Sequence, residues 1–208
     1  MKRVVIFLLI IFIVSSGFAQ RKKQSISKSS SGGYLYFGIP ITTFEVNAAE
    51  AEGIEDHSVG VEFGLALYFY NYLLAGGNFG IDFPGDKKEF SQMTTGGRMT
   101  ASVTVPYASL FIGLRTPKIR LKKDTAAGFV GNLILGNAWV FNARRSIDEC
   151  KDCRKDKIHL DAGLYVEPEI DWIYSLGNEF MLGIGVGYKY YFKSDYKRSV
   201  VINFFMGR

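Results

Sequence analysis

The stretch HLDAGLYVEPEIDWIY, residues 159–174, separates two chemistries with a period of two along nearly its whole length. Its even-numbered positions are apolar or aromatic, and its odd-numbered positions are mostly acidic, small or polar. Successive side chains of a β-strand point to opposite faces of the sheet, so this alternation predicts a strand with one apolar and one ionic surface.

Two further stretches, 58–70 and 180–192, alternate in the same way, and their non-apolar faces are rich in glycine and tyrosine. The second of them places Gly183, Gly185 and Gly187 on one face. Three alternate glycines would weaken a strand that faces water, whereas inside a narrow barrel they make room for large neighbouring side chains. The pattern therefore predicts a barrel whose apolar face contacts lipid.

Weaker alternation at 34–46, 74–84, 103–115, 127–142 and 199–207 raises the number of predicted strands to about eight, the smallest usual number for such barrels. We therefore predict an all-β fold, an about eight-stranded antiparallel up-and-down transmembrane β-barrel. Its connections alternate between short and long, which places both termini at the end with the short turns. The apolar parity changes between Val105 and Leu110, which predicts a β-bulge near Pro106.

The N-terminus predicts export. Lys2 and Arg3 precede an apolar run, 4–14, which small residues follow up to Ala19, as in a secretory signal peptide. The predicted organisation is a cleaved signal peptide at 1–19, a flexible leader at 20–32 and a barrel domain at 33–208, with a retained N-terminal anchor as the alternative.

The charge balance predicts no nucleic-acid partner. The 208-residue chain has a formal net charge of +5, which falls to +3 when Lys2 and Arg3 leave with the signal peptide. The basic group Lys118, Arg120, Lys122 and Lys123 lacks interleaved aromatic residues and is interpreted as a solvated turn beside anionic head groups.

The signal peptide, the alternating strands, the glycine-rich faces and the final strand SVVINFFMGR, residues 199–208, together resemble the small outer-membrane β-barrel proteins of Gram-negative bacteria, of the OmpX and OmpA-barrel type. The resemblance implies a location in the cell outer membrane, contact with outer-membrane lipids and the barrel-assembly machinery, a monomer, and an extracellular loop partner whose identity it does not give. It departs at the C-terminus, because that family usually ends on an aromatic residue and this chain ends on Met206, Gly207 and Arg208.

Cys150 and Cys153 lie in a predicted polar loop, 143–158, and in an exported protein a disulfide between them is the first interpretation. A zinc site that adds His159 and Asp161 is the alternative, although a CxxC motif supplies half of a tetrahedral ligand set. No cofactor and no resident metal are expected.

Strand parity assigns residues to the two faces of the wall. We predict that the lumen holds an ion-pair network of inward charges, because burying an unpaired charge is costly. Its predicted members are Glu62, Asp82, Arg115, Asp161, Glu167, Glu169, Asp171 and Lys189. The predicted lipid-facing residues are Phe63, Leu65, Leu164, Val166, Ile184 and Val186.

The parity also restricts the register. Because the even-numbered residues of both 160–174 and 180–192 face lipid, the residue numbers of any directly paired positions must sum to an even number. The turn between the two strands therefore contains an odd number of residues, which places Lys189 opposite either Tyr165 or Glu167. The same reasoning, with a turn at 71–73, sets Glu62 opposite Asp82, a like-charge pair that would need Arg115 from the next strand or a raised pKa.

Several function classes remain open at this point. An eight-stranded barrel is just wide enough for its own side chains, which favours a structural or loop-mediated binding role over a channel. A lipid-modifying barrel enzyme, in which Asp161 would orient His159 as a general base, is less favoured. No catalytic residue is assigned. A soluble lipocalin-like barrel with its apolar face turned inward towards an apolar ligand is the remaining alternative.

Overall fold

The computed structural model describes residues 32–46, 54–69, 72–86, 99–122, 124–147, 156–157, 159–176, 180–192 and 194–208. These residues form β-strands and their connections. None of the described segments is a helix long and apolar enough to cross a membrane.

The described part of the chain forms the following strands: β1 (Gly32–Val46), β2 (Ile54–Phe69), β3 (Leu73–Asp86), β4 (Met99–Arg115), β5 (Ile119–Lys122), β6 (Thr125–Ala138), β7 (Phe141–Ile147), β8 (Asp156–Lys157), β9 (Gly163–Leu176), β10 (Phe180–Tyr191) and β11 (Tyr196–Gly207).

Eight long strands close into an antiparallel barrel in the order β1, β2, β3, β4, β6, β9, β10, β11. The last seam joins β11 to β1, where Phe37 lies opposite Met206 and Glu45 opposite Arg198. The predicted all-β, eight-stranded barrel is confirmed, since each predicted strand overlaps one of these eight. Closure pairs both edges of every long strand, so the barrel leaves no long open edge.

The two ends of the barrel differ. At one end, here called the turn end, lie Gly32, Arg208 and the connections from Phe69 to Leu73 and from Leu176 to Phe180. The opposite end, here called the loop end, carries the longer connections. Two short strands extend the wall: β5 continues β4 along β6 at the turn end, and β7 continues β6 along β4 at the loop end.

The expected bulge at Pro106 is wrong. Pro106 pairs in register with Ile81, and the irregularity of β4 lies between Ser102 and Thr104, opposite β7. Val103 and Val105 are buried in the interior, whereas Leu110 is outward and 73% exposed. The apparent change of parity arises because apolar residues occupy both faces of β4 in different stretches, and the backbone continues regularly between them.

The apolar faces of the strands form the outer surface of the barrel, and the interior is lined by aromatic, polar and glycine residues. On β10, for example, Val186 is 54% exposed, while Lys189 on the opposite face is 2% exposed. An apolar band around a polar interior is the arrangement of barrels that span a membrane. It is the reverse of the inward apolar face that the lipocalin-like alternative requires.

Candidate functional site: a charged and aromatic lumen

Lys189 is the buried cation of the lumen. Its Nζ atom lies 3.7 Å from Oε2 of Glu167, and 4.5 and 4.8 Å from the ring centroids of Tyr107 and Tyr165. Lys189 is on β10 and Tyr107 is on β4, which are separated around the wall by β9 and β6. The ammonium group therefore ties opposite parts of the wall together by an ion pair and two cation–π contacts.

The register of β9 and β10 explains this position. Phe180 pairs with Leu176, which leaves three residues in the turn, and the pairs Gly187–Glu169 and Tyr191–Tyr165 place Lys189 opposite Glu167. Of the two registers that the sequence allowed, the structure has the one with the direct pair.

Glu62 joins its own strand, β2, to two further strands. Tyr107 Oη donates a hydrogen bond of 2.9 Å to Oε2 of Glu62, and Asn203 Nδ2 donates one of 3.2 Å to Oε1. All three side chains are buried. The carboxyl group on β2 is thereby bridged to β4 and β11 by neutral donors.

The predicted juxtaposition of Glu62 and Asp82 is wrong. Glu62 pairs with Gly80, and Asp82 pairs with Gly60. The turn comprises residues 70–72 instead of 71–73, and this shift of one residue in the turn moves the partner by two positions. Both carboxyl groups are nonetheless buried on the inward face.

Arg115 does not join these carboxyl groups. It lies ten residues along β4 from Val105, which is the residue opposite Asp82. Its guanidinium carbon lies 5.2 Å from the ring centroid of Tyr68, towards the turn end. The residue is half-buried and contacts the ring of Tyr68 at the barrel mouth.

A second polar group lies between Lys189 and the turn end. Asn132 Nδ2 donates a hydrogen bond of 2.6 Å to Oδ2 of Asp171, and Glu169 is buried on the same strand. Both acidic side chains occupy the space over Gly185, where an added Cβ would meet Oε1 of Glu169 at 2.6 Å. Glycine at 185 is therefore required by the close approach of these carboxyl groups.

The predicted ion-pair network is mostly a hydrogen-bonded network. Within the described part of the lumen, Glu62, Asp82, Glu167, Glu169 and Asp171 are buried, but the ion pair that forms there is Lys189–Glu167. Tyr107 and Asn203 donate to Glu62 and Asn132 donates to Asp171, since a buried carboxyl group needs hydrogen-bond donors and a donor need not be charged. Oδ1 of Asp82 and Oδ1 of Asp171 have no hydrogen-bond partner among the described residues.

Aromatic side chains line the lumen on both sides of these polar groups. Towards the loop end, successive ring pairs link Tyr165, Tyr191, Tyr196 and Phe44 with centroid distances of 5.2–5.6 Å. Towards the turn end, the pairs are Tyr34–Tyr68 at 5.6 Å and Tyr36–Phe205 at 5.8 Å. A cavity of about 20 Å³ lies beside Glu169 and Asp171, which is room for about one water molecule.

The assignment of Asp161 to the lumen is wrong. Strand β9 begins at Gly163, whose φ of 69° lies in the left-handed region, and this residue interrupts the alternation that the sequence suggested. As a result Ala162 is buried and Asp161 is exposed. The backbone N–H of Asp161 donates a hydrogen bond of 2.8 Å to Asp195 Oδ2 at the loop end.

The other chemical candidates also belong to the loop end. His159 is exposed and lies outside the strands, next to a segment that the structure does not describe. Cys150 and Cys153 lie outside the described residues, so the disulfide and its zinc alternative stay predictions. Among the described residues, no group of three or more His, Cys, Asp or Glu side chains could hold a metal ion.

The predicted lipid-facing residues lie on the outer face of the wall. Leu65, Leu164 and Val186 are 44–56% exposed. Phe63, Val166 and Ile184 lie on the same outer face but are half-buried by their neighbours, as where the rings of Phe63 and Phe37 stand 5.1 Å apart. Trp139, Phe141 and Trp172 are exposed near strand ends, where aromatic girdles are expected.

Sequence reasoning missed the neutral members of the lumen. Tyr107, Asn132 and Asn203 each donate to or contact a buried charge. Asn203 did carry a signal, because it stands on the inward parity of an otherwise apolar strand. The partners of these residues could not be read from the sequence, since they depend on how the barrel closes.

Comparisons with known proteins identify the fold. No family model matches the chain, and no curated protein matches it. Among solved structures, the outer membrane protein OprG from Pseudomonas aeruginosa superimposes with a TM-score of 0.52 at 11% identity, covering 88% of this chain and 95% of that chain.

Two further matches have lower TM-scores. Neisserial surface protein A, NspA, gives 0.48 at 10% identity over 86% of this chain and 98% of that one. Ail, the attachment invasion locus protein of Yersinia pestis, gives 0.46 at 11% identity over 86% and 97%. The similarity to OprG supports the architecture already described, a small closed antiparallel β-barrel.

Proposed function

We propose that this protein is an outer-membrane β-barrel with a sealed lumen, and that it has a structural role or binds a partner through the connections at its loop end. The observation that carries the proposal is the cross-lumen contact of Lys189 with Glu167, Tyr107 and Tyr165. These side chains occupy the path that an ion would take, so the barrel acts as a rigid anchor and not as a pore.

The location follows from the wall and from the N-terminus together. The apolar outer band requires a membrane, and a predicted signal peptide at 1–19 would deliver the chain across the inner membrane for insertion by the barrel-assembly machinery. On this proposal, the loop end faces outwards and the turn end faces the periplasm.

The binding role is assigned to the loop end because the long connections 47–53, 87–98 and 148–155 all lie there. Connections held by a rigid scaffold are the usual carriers of recognition. The inward carboxyl groups are buried, and the cavity beside Glu169 and Asp171 has room for about one water molecule, which favours binding over catalysis. The same burial argues against the channel alternative.

Membrane fractionation and trypsin treatment of intact cells test this proposal. The protein should require detergent for extraction and should migrate differently on a gel before and after boiling. Trypsin added outside should cleave at Lys87, Lys88 or Arg154 in the long connections, and should cleave at Lys23 or Lys28 in the N-terminal leader after the outer membrane is permeabilised.

Recovery in the soluble periplasm would overturn the membrane location. Cleavage at Lys23 or Lys28 in intact cells, with Lys87 and Arg154 protected, would reverse the orientation and remove the proposed binding role of the loop end.

A further inference from the structure

The β5 hairpin, residues 116–127, continues the barrel wall beyond the turn end. Ile119 pairs with Ala127 and Arg120 with Ala126. The break between β4 and β5 is bridged at Thr116, whose backbone N–H donates to the Phe129 carbonyl at 2.9 Å and whose Oγ1 accepts from the Phe129 N–H at 2.9 Å. The hairpin is therefore an in-line extension of the wall.

The outer face of this extension changes from apolar to cationic with distance from the barrel. Phe129 is outward and 51% exposed, and Ile119, opposite Ala127 on the same face, is 66% exposed. After a register shift, Lys122 lies opposite Thr125 at the tip and is exposed. A lysine beyond an apolar residue can keep its stem on the apolar side while its ammonium group reaches the head groups.

The neighbouring strand, β9, indicates how deep in the membrane the hairpin lies. Trp172 lies opposite Phe129, and Tyr174 lies opposite Ala127. Tryptophan and tyrosine concentrate where the hydrocarbon meets the head groups. The hairpin begins at the level of these two aromatic residues and projects past them, into the head-group layer.

The basic side chains of this hairpin are available to bind. Lys118, Arg120 and Lys122 are exposed, and no ion pair among the described residues joins them to a carboxylate. At the loop end, by contrast, Lys197 and Arg198 pair with Glu45 at 3.8 and 2.5 Å. Lys123 adds a fourth cation to the hairpin sequence, and Asp124 a single anion.

We propose that the β5 hairpin lies in the head-group layer and binds anionic lipid head groups, with Ile119 at the acyl-chain boundary. Lys122 contributes from the outer face, while Lys118 and Arg120 lie on the opposite face and reach the same layer past the open edge of β5. The apolar surface is continuous with the lipid-facing band, and the charge is complementary to an anionic leaflet. The inference rests on the membrane barrel of the proposed function and adds a lipid-binding site to it.

Lipid selectivity is measured by electron paramagnetic resonance on the full-length protein folded in phosphatidylcholine vesicles that contain spin-labelled phosphatidylglycerol or spin-labelled phosphatidylcholine. We expect a preference of about twofold or more for phosphatidylglycerol among the immobilised lipids. The preference should fall to nearly none in Lys118→Gln/Arg120→Gln/Lys122→Gln and should persist in the control Lys197→Gln/Arg198→Gln. An unchanged preference in the triple variant overturns the proposal.

A second measurement places the hairpin in depth, on a background in which Cys150 and Cys153 are replaced by Ser. Nitroxides attached at Ile119→Cys and at the barrel control Leu114→Cys are exposed to oxygen and to a water-soluble nickel chelate. We expect collisions with oxygen to relax the nitroxide more than collisions with the nickel chelate at both positions. Nickel access at 119 with oxygen access at 114 overturns the head-group site alone and leaves the hairpin for a water-borne partner, whereas nickel access at both positions overturns the membrane barrel itself.

Discussion

Lys189 joins three strands through one ammonium group, because Glu167, Tyr107 and Tyr165 surround it and the residue is 2% exposed. A buried ion pair contributes little net stability compared with a well-packed apolar pair. Removing one partner is nevertheless strongly destabilising, because it leaves the other charge buried and uncompensated. The lumen is therefore most sensitive at its charged residues and at their immediate donors.

We predict that Lys189→Met destabilises the folded barrel by about 3–5 kcal/mol, because it leaves Glu167 without its cation. The exposed control Lys122→Met should change stability by less than about 0.5 kcal/mol. Urea unfolding of both variants in detergent micelles, followed by tryptophan fluorescence, measures the difference. Equal midpoints for the two variants would show that the ion pair is not structurally important.

Tyr107→Phe tests the neutral part of the network. The variant keeps the ring beside Lys189 but removes the hydroxyl that donates to Glu62, which should cost about 1–3 kcal/mol. Tyr72→Phe, at a tyrosine that is 56% exposed, is the matched control and should leave the unfolding midpoint nearly unchanged in the same assay. An unchanged unfolding midpoint for Tyr107→Phe would contradict the role given to this hydroxyl and would mean that water replaces it.

At the scale of the strands, the period of two predicted which residues share a face, and the turn lengths decided which residues meet. Moving one turn from 71–73 to 70–72 was enough to separate Glu62 from Asp82. The left-handed Gly163 likewise moved Asp161 out of the lumen, and no alternation of side chains signals such a backbone change. Face assignment was therefore readable from the sequence, whereas register and strand starts depended on local backbone geometry.

Gly163 provides a prediction about the start of β9. A side chain at its φ of 69° is strained, so Gly163→Ala should destabilise the barrel by about 1–2 kcal/mol. Gly131→Ala is the control, because an added Cβ there meets nothing within 4 Å and the residue has ordinary strand geometry. Unfolding midpoints compare the two, and a larger loss for Gly131→Ala would contradict the role given to Gly163.

For the whole molecule, the closed barrel explains why contacts distant in sequence could not be foreseen. Asn203 and Glu62 lie on strands β11 and β2, which both flank β1 once the barrel closes. The sequence supported the number of strands and the orientation of their faces. It could not indicate that tyrosine and asparagine side chains would donate to Glu62 and Asp171.

The predicted Cys150–Cys153 disulfide belongs to the loop end and should not support the barrel. Peptide mapping without reduction should find the two cysteines linked, and Cys150→Ser/Cys153→Ser should leave the unfolding midpoint unchanged because the loop that the bond closes is short. Zinc bound in a one-to-one ratio to the purified protein would favour the metal alternative.

Conductance across a planar bilayer tests the sealed lumen most directly. Folded, heat-modifiable protein in concentrated KCl should give a baseline equal to that of a protein-free bilayer, because the contacts of Lys189 with Glu167, Tyr107 and Tyr165 cross the lumen. Tyr107→Ala/Tyr165→Ala, which removes both rings beside Lys189, should raise the conductance, whereas Leu65→Ala/Leu164→Ala on the outer face should not. Large, stable single-channel currents from the unmodified protein would contradict the account and establish the channel alternative.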